Sequence, residues 1–154
     1  GNNYLAGFTA AGPNSDLGSM DLSAAIPTGF TTGSADSSGL SQVSTVPIIG
    51  SQLTITTSNY PAPVSVGFVC FGVTGYDPGI DMGQFGAPGC AIHVNTDFNY
   101  LVVSAAGQSV LNLQIPNDPA FQAAVLNTQT FALAAGVNQL GVTSSNGVAL
   151  TFGY

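Results

Sequence analysis

The chain has 154 residues, 45% of them hydrophobic and only 5% charged, and its charges are seven Asp with no Lys, Arg or Glu. A formal charge of -7 with no side-chain cation excludes nucleic-acid binding by phosphate neutralisation, Schiff-base chemistry by lysine and anion stabilisation by arginine. The hydrophobic share supports the core of one domain, and hydrophobicity this high with charge this low is not the signature of disorder.

Alternation with a period of two runs through the chain, and helical periodicity is nearly absent. Residues 1–45 read as an N-terminal extended arm with two short alternating segments, Tyr4–Ala10 and Met20–Ile26, separated by Gly12-Pro13-Asn14-Ser15-Asp16. Thr28–Thr45 is rich in Ser, Thr and Gly and reads by composition as a flexible linker. Residues 46–154 carry the strand-dense domain. Leu53-Thr54-Ile55-Thr56 alternates apolar side chains with Thr, as a half-buried strand does. Val64–Val73 is apolar on both faces and predicts a central strand covered on both sides; it is too short to span a membrane. Gly75–Asp81 is turn-rich and predicts a loop. Ala91–Val94 and Tyr100–Ser104 follow as strands, and Val110–Ile115 places Leu111, Leu113 and Ile115 inward. Pro116 and Pro119 stop that strand, and Pro119-Ala-Phe-Gln predicts one helical turn. Ala123–Leu133 predicts a long strand with Val125 and Phe131 opposed to Thr128 and Thr130. Asn146-Gly147, between Leu140–Thr143 and Val148–Phe152, is the strongest hairpin signal in the chain. The fold expected is all-β, an antiparallel β-sandwich with an N-terminal extended arm.

Several short motifs occur in order: Ile49-Gly50-Ser51, Asp81-Met-Gly-Gln-Phe-Gly, Pro88-Gly89-Cys90-Ala-Ile-His-Val, Ile115-Pro116-Asn117-Asp118-Pro119, and Leu140-Gly141 through Asn146-Gly147. Across roughly residues 47–154 they resemble a β-rich module at the C-termini of large secreted proteins from planctomycete-type and related bacteria. The resemblance implies export and a sandwich, and no activity.

The chain starts at Gly1, which reads as the product of signal-peptide cleavage, and it has no trypsin site and no N-x-[ST] sequon. An extracellular, secreted location is the expectation. In that setting Cys70 and Cys90 pair most simply, a bridge contributing on the order of 3 kcal/mol; two buried thiols are the alternative.

Catalytic equipment is sparse, and the chain reads as a non-enzyme. His93 is the only side-chain base near neutrality and reads as a surface or inter-strand histidine with local hydrogen bonds. No Ser-centred motif supports a triad. Asn95, Asp97 and Asn99 alternate like the start of a calcium loop but lack its Gly and closing Glu; Asp77 and Asp81, in a turn-rich loop, offer oxygen ligands of the kind calcium takes, and Asp and Asn are equally ordinary turn residues. No cofactor is expected. Tyr60, Tyr76 and Tyr100, near turns, are the rings expected at the surface.

Two functional classes follow. The first is a structural subunit of an extracellular filament whose partners are copies of itself. A strand from residues 2–11 or 19–27 would add to the next subunit, with Tyr4, Ala6 and Phe8, or Met20, Leu22 and Ile26, filling pockets at the subunit interface. The same arm pairing within its own sandwich gives an ordinary monomer. The second class is a secreted carbohydrate-binding or adhesive module using Tyr60, Tyr76 or Tyr100, with a glycan as partner.

Overall fold

In a computed structural model, residues 26–29 and 39–154 are described, and the architecture is all-β. The strands in chain order are β1 (Ile26–Gly29), β2 (Ser41–Ser44), β3 (Gln52–Ser58), β4 (Val66–Gly72), β5 (Gly75–Asp81), β6 (Ala91–Val94), β7 (Phe98–Val103), β8 (Gln108–Gln114), β9 (Val125–Leu133), β10 (Val142–Ser144) and β11 (Val148–Thr151). Single 3-10 turns occupy Gly83–Phe85 and Pro119–Phe121. In the second, the Asp118 carboxylate accepts from the Ala120 amide, and proline supplies the first turn residue, as the sequence predicts.

Three layers stack. The middle layer is a six-stranded antiparallel sheet ordered β1, β11, β9, β4, β7, with β10 beside β9 in line with β11. One face packs on the three-stranded sheet β2, β3, β8, which makes the sandwich. Part of the other face is covered by the β5–β6 ribbon. Alternation explains the core. Leu53 and Ile55 point from β3 toward Val69 and Phe71 on β4 and Leu150 on β11, all nearly or fully buried. The doubly covered strand expected at Val64–Val73 is β4, with Phe71 on the core side and Cys70 buried on the other.

Several expectations need correction. The Asn146-Gly147 hairpin does not form. Ser144 pairs Phe131 and Val148 pairs Thr128, so four steps on one strand match three on β9, and residues 145–147 form a bulge in one interrupted strand. Side chains favour this outcome over a turn. The Ser145 hydroxyl accepts from the Thr130 amide. Asn146 pairs with the Gln42 backbone, accepting from its amide at 2.9 Å and donating to its carbonyl at 3.0 Å.

Gly75–Asp81 is a strand and not a loop, because its irregularity is absorbed as a register shift between Gly75 and Ile80 against β6. Glycine is required within it: a Cβ on Gly79 would stand 2.6 Å from the His93 ring.

On β9 the opposition of Thr to apolar residues holds, but the threonines face inward. Thr128 and Thr130 are fully buried, and Val125 is exposed. They are tolerated because every hydroxyl is bonded. Thr57 and Thr130 share a hydrogen bond at 2.8 Å, and Thr130 donates to the buried Gln42 carboxamide at 2.6 Å.

Cys70 and Cys90 are not bridged. The path of β6 explains why. It crosses the outer face from β10, where the Ala91 amide meets Ser144, past Gln129 on β9, to β4, where residue 95 lies against Gly72. Cys90 precedes that crossing, with its sulfur 3.8 Å from the Val142 carbonyl. Cys70 lies beyond it, against Thr96. Six residue steps, largely extended, separate Cys90 from Thr96, roughly 20 Å of chain. Both sulfurs are buried, and burial raises the Cys70 thiol pKa, a shift its contact with Thr96 partly offsets.

β1 and β2 lie on the arm side of the division expected at residues 45 and 46, and each is an outer strand of one sheet of the sandwich.

Candidate subunit interface

Every sheet has edges, and an unpaired edge strand offers amides and carbonyls to any passing strand. Among the described residues, the outer strands are β1, β7 and the three-residue β10 of the middle sheet and β2 and β8 of the smaller one. β1 and β2 have four residues each, which limits what they can template. β8 shows Ser, Asn and Gln among its side chains. β7 differs in its side chains: in Phe-Asn-Tyr-Leu-Val-Val every residue but Asn99 is apolar or aromatic, and only Val102 is buried. Proteins usually blunt such an edge with lysine, and this chain has none.

Beneath β7 the sandwich is open. A groove of about 370 Å³ runs between the edges of the two sheets, lined by Phe98, Tyr100, Leu113, Phe121, Leu126 and Phe152 among others. Register explains the aromatic wall. Phe98 and Tyr100 pair with Phe71 and Val69 of β4 and share their core-facing side. Phe98 stacks on Phe71 with ring centroids 5.0 Å apart, and Tyr100 meets both edge-on at 5.9 and 6.3 Å. Phe98 and Tyr100 nevertheless remain about 45% and 43% exposed. Phe121 and Phe152 close the far end.

The first described residue of β1, Ile26, pairs Thr151, the neighbour of Phe152. The chain therefore enters the fold close to one end of this groove. Of the interface residues read from the sequence, Tyr4, Ala6, Phe8, Met20 and Leu22 lie outside the described residues, and Ile26 is in β1, paired with its own chain.

The other candidates separate. Tyr60 is 7% exposed, not a surface ring; its hydroxyl shares a 2.7 Å hydrogen bond with Ser109, and burial raises its pKa despite that bond. Tyr76 is partly exposed on β5, and Tyr100 lies in the groove, so the three tyrosines form no common platform. His93 is buried to 0% in the inter-strand position, with Nδ1 3.2 Å from the Tyr76 carbonyl oxygen and its amide donating to Gln129 Oε1 at 2.8 Å.

The acidic side chains serve the backbone. Asp97 accepts from the Val73 amide and from the Asn95 carboxamide, and Asp81 accepts from the Gly83 amide. Among the described residues, no three His, Cys or Asp side chains converge on a point where a metal ion would sit. Within the same residues no helix is long and apolar enough to cross a membrane.

No family model, curated protein or solved structure matches the chain.

What the sequence did not reveal is the groove. Phe98, Tyr100 and Phe121 read as three aromatics among many. Only the pairing of β4 with β7, with no strand beyond β7 among the described residues, places them along an open groove.

Proposed function

We propose that this protein is a structural subunit of an extracellular filament, secreted and polymerising by strand addition into the groove beside β7. One observation supports the reading: among the described residues, the aromatic-rich edge of β7 has no strand beyond it and lies directly above an apolar groove. The donor is residues 2–11 of a neighbouring copy. Their alternation sends Tyr4, Ala6 and Phe8 to one side, as a groove lined by Phe98, Tyr100 and Phe121 requires. Ile26 belongs to its own sheet, which removes residues 19–27 from the role as a unit. Residues 12–25 then span up to about 50 Å when extended, enough to reach a second subunit. Each large apolar side chain removed from water contributes roughly 1.5–3 kcal/mol, and backbone pairing along β7 sets direction. The contact is head-to-tail, so it builds open filaments and not closed rings.

Negative-stain microscopy and light scattering of the full chain test this, beside a chain lacking residues 1–25. The expected outcome is filaments with a regular repeat that are lost on deletion. A full-length monomer of 15.4 kDa, or a shortened chain that assembles unchanged, sinks the proposal. The carbohydrate-binding alternative is weaker on this geometry, because burial takes Tyr60 out of the platform it needs.

A further inference from the structure

Among the described residues, the β5–β6 ribbon covers only part of the outer face of the middle sheet. Register shows where cover stops. Cys70 and Gln129 pair on neighbouring strands, and the Gln129 side chain reaches up to β6. The next two rows on the same face are Leu101, Phe68 and Phe131, then Val103, Val66 and Leu133, aligned across β7, β4 and β9. All six side chains are apolar, and Leu101, Val103 and Leu133 are each more than half exposed. This surface is separate from the groove, because Leu101 and Val103 point to the opposite side of β7 from Phe98 and Tyr100.

We infer that the uncovered half of this face is where a second copy of the chain packs, back to back about a twofold axis. Three observations select that occupant. With the adjoining Val64 and Val137, the patch exposes on the order of 600 Å² of apolar surface, the upper end of what a monomer carries. Two such patches bury about 1,200 Å², the lower limit for a specific interface. The patch contains no charged residue. The Asp residues within the described segments lie in the ribbon (Asp77, Asp81), ahead of β7 (Asp97) and in the turn at Asp118, so nothing ionised has to be desolvated. An uncharged, apolar patch also meets a second copy of itself without like charges opposed, which a twofold contact requires. The ribbon sets the geometry. Sheets pack about 10 Å apart, so a ribbon standing on one half of each face forces the two ribbons to opposite ends of the pair. The axis therefore runs across the strands.

The test is sedimentation velocity and negative-stain microscopy of the full chain across a wide dilution series, with Leu101→Asn/Val103→Thr as the variant. Both positions are surface-exposed in an already formed strand, and folding is checked by circular dichroism. This inference does not rest on strand addition, and the readouts separate the two. If the chain forms filaments, the double variant yields filaments of half the width; if it does not, the variant turns a dimer into a monomer. In either case the back-to-back dissociation constant rises by about a hundredfold or more. A variant with wild-type width or mass overturns the inference, and so does a wild-type chain that stays monomeric at every concentration. In that monomer, a Val103→Cys thiol, read against the buried native cysteines, identifies the cause. Slow alkylation means the chain's own residues cover the face, and fast alkylation means that nothing does.

Discussion

Gln129 fastens the ribbon to the sheet, and its removal is the sharpest test of how the outer layer is held. The side chain is fully buried and makes three bonds: its oxygen accepts from the His93 amide at 2.8 Å, and its nitrogen donates to the Ala91 carbonyl at 2.8 Å and the Ser145 carbonyl at 2.7 Å. Gln129→Leu keeps the approximate volume and strands all three backbone groups. Each buried group left without a partner costs about 1–3 kcal/mol, so the sum, after some relaxation, is about 3–6 kcal/mol. A domain of this size has about 5–15 kcal/mol in total, so the variant sits near the edge of unfolding. Guanidinium denaturation followed by circular dichroism reads the loss, and amide exchange locates it: protection at His93 collapses before that of the β4 amides. Gln129→Glu preserves the acceptor for His93 but sets a carboxyl group against two carbonyls, so it does not rescue. A loss below about 1 kcal/mol, with the His93 amide still protected, refutes the reasoning.

Two further outcomes follow from close contacts. A folded-state pKa raised above 10.0 at Tyr60 means that the folded protein holds this proton more tightly than the unfolded chain. That stabilisation is present below pH 10 and lost as pH rises through the folded value, so the denaturation midpoint falls in alkali and falls less in Tyr60→Phe. At neutral pH the same substitution costs about 0.5–1.5 kcal/mol through the bond to Ser109. Gly72→Ala places a Cβ 1.6 Å from the Asn95 carbonyl oxygen, where backbone has to move; the expected result is insoluble or molten protein, and a cooperative native-like melt contradicts it.

Strand positions were legible wherever one face is apolar and the other polar, as in Leu53–Thr56 and Val110–Ile115. Continuous apolarity marked β4 as covered on both sides, which holds for Val69–Gly72 and not for the outer face at Val66 and Phe68. The reading failed where a side chain replaces the backbone as partner. Asn146 looked like a turn residue because Asn-Gly favours one, yet its carboxamide pairs with Gln42, 104 positions away. No local pattern encodes that distance. Thr128 and Thr130 alternate correctly but face the interior, because Thr57 and Gln42 satisfy them from another sheet. The cysteine pairing failed for a related reason: composition says which residues are able to pair, whereas the crossing of β6 decides which of them meet. The groove was invisible because it depends on which strands are neighbours: Phe98 and Tyr100 line it only through the pairing of β7 with β4.

The partnership of β1 with β11 has a consequence in time. Residues 26–29 find their neighbours at 148–151, so the outermost lane of the middle sheet waits for nearly the whole chain. Loops of that length close slowly, and sheets dominated by such pairings fold in milliseconds to seconds. In a chain emerging N-terminus first, residues 26–29 therefore stay without their β11 partner until residues 148–151 are available, and closing this lane is the step that the rest of the sheet has to precede.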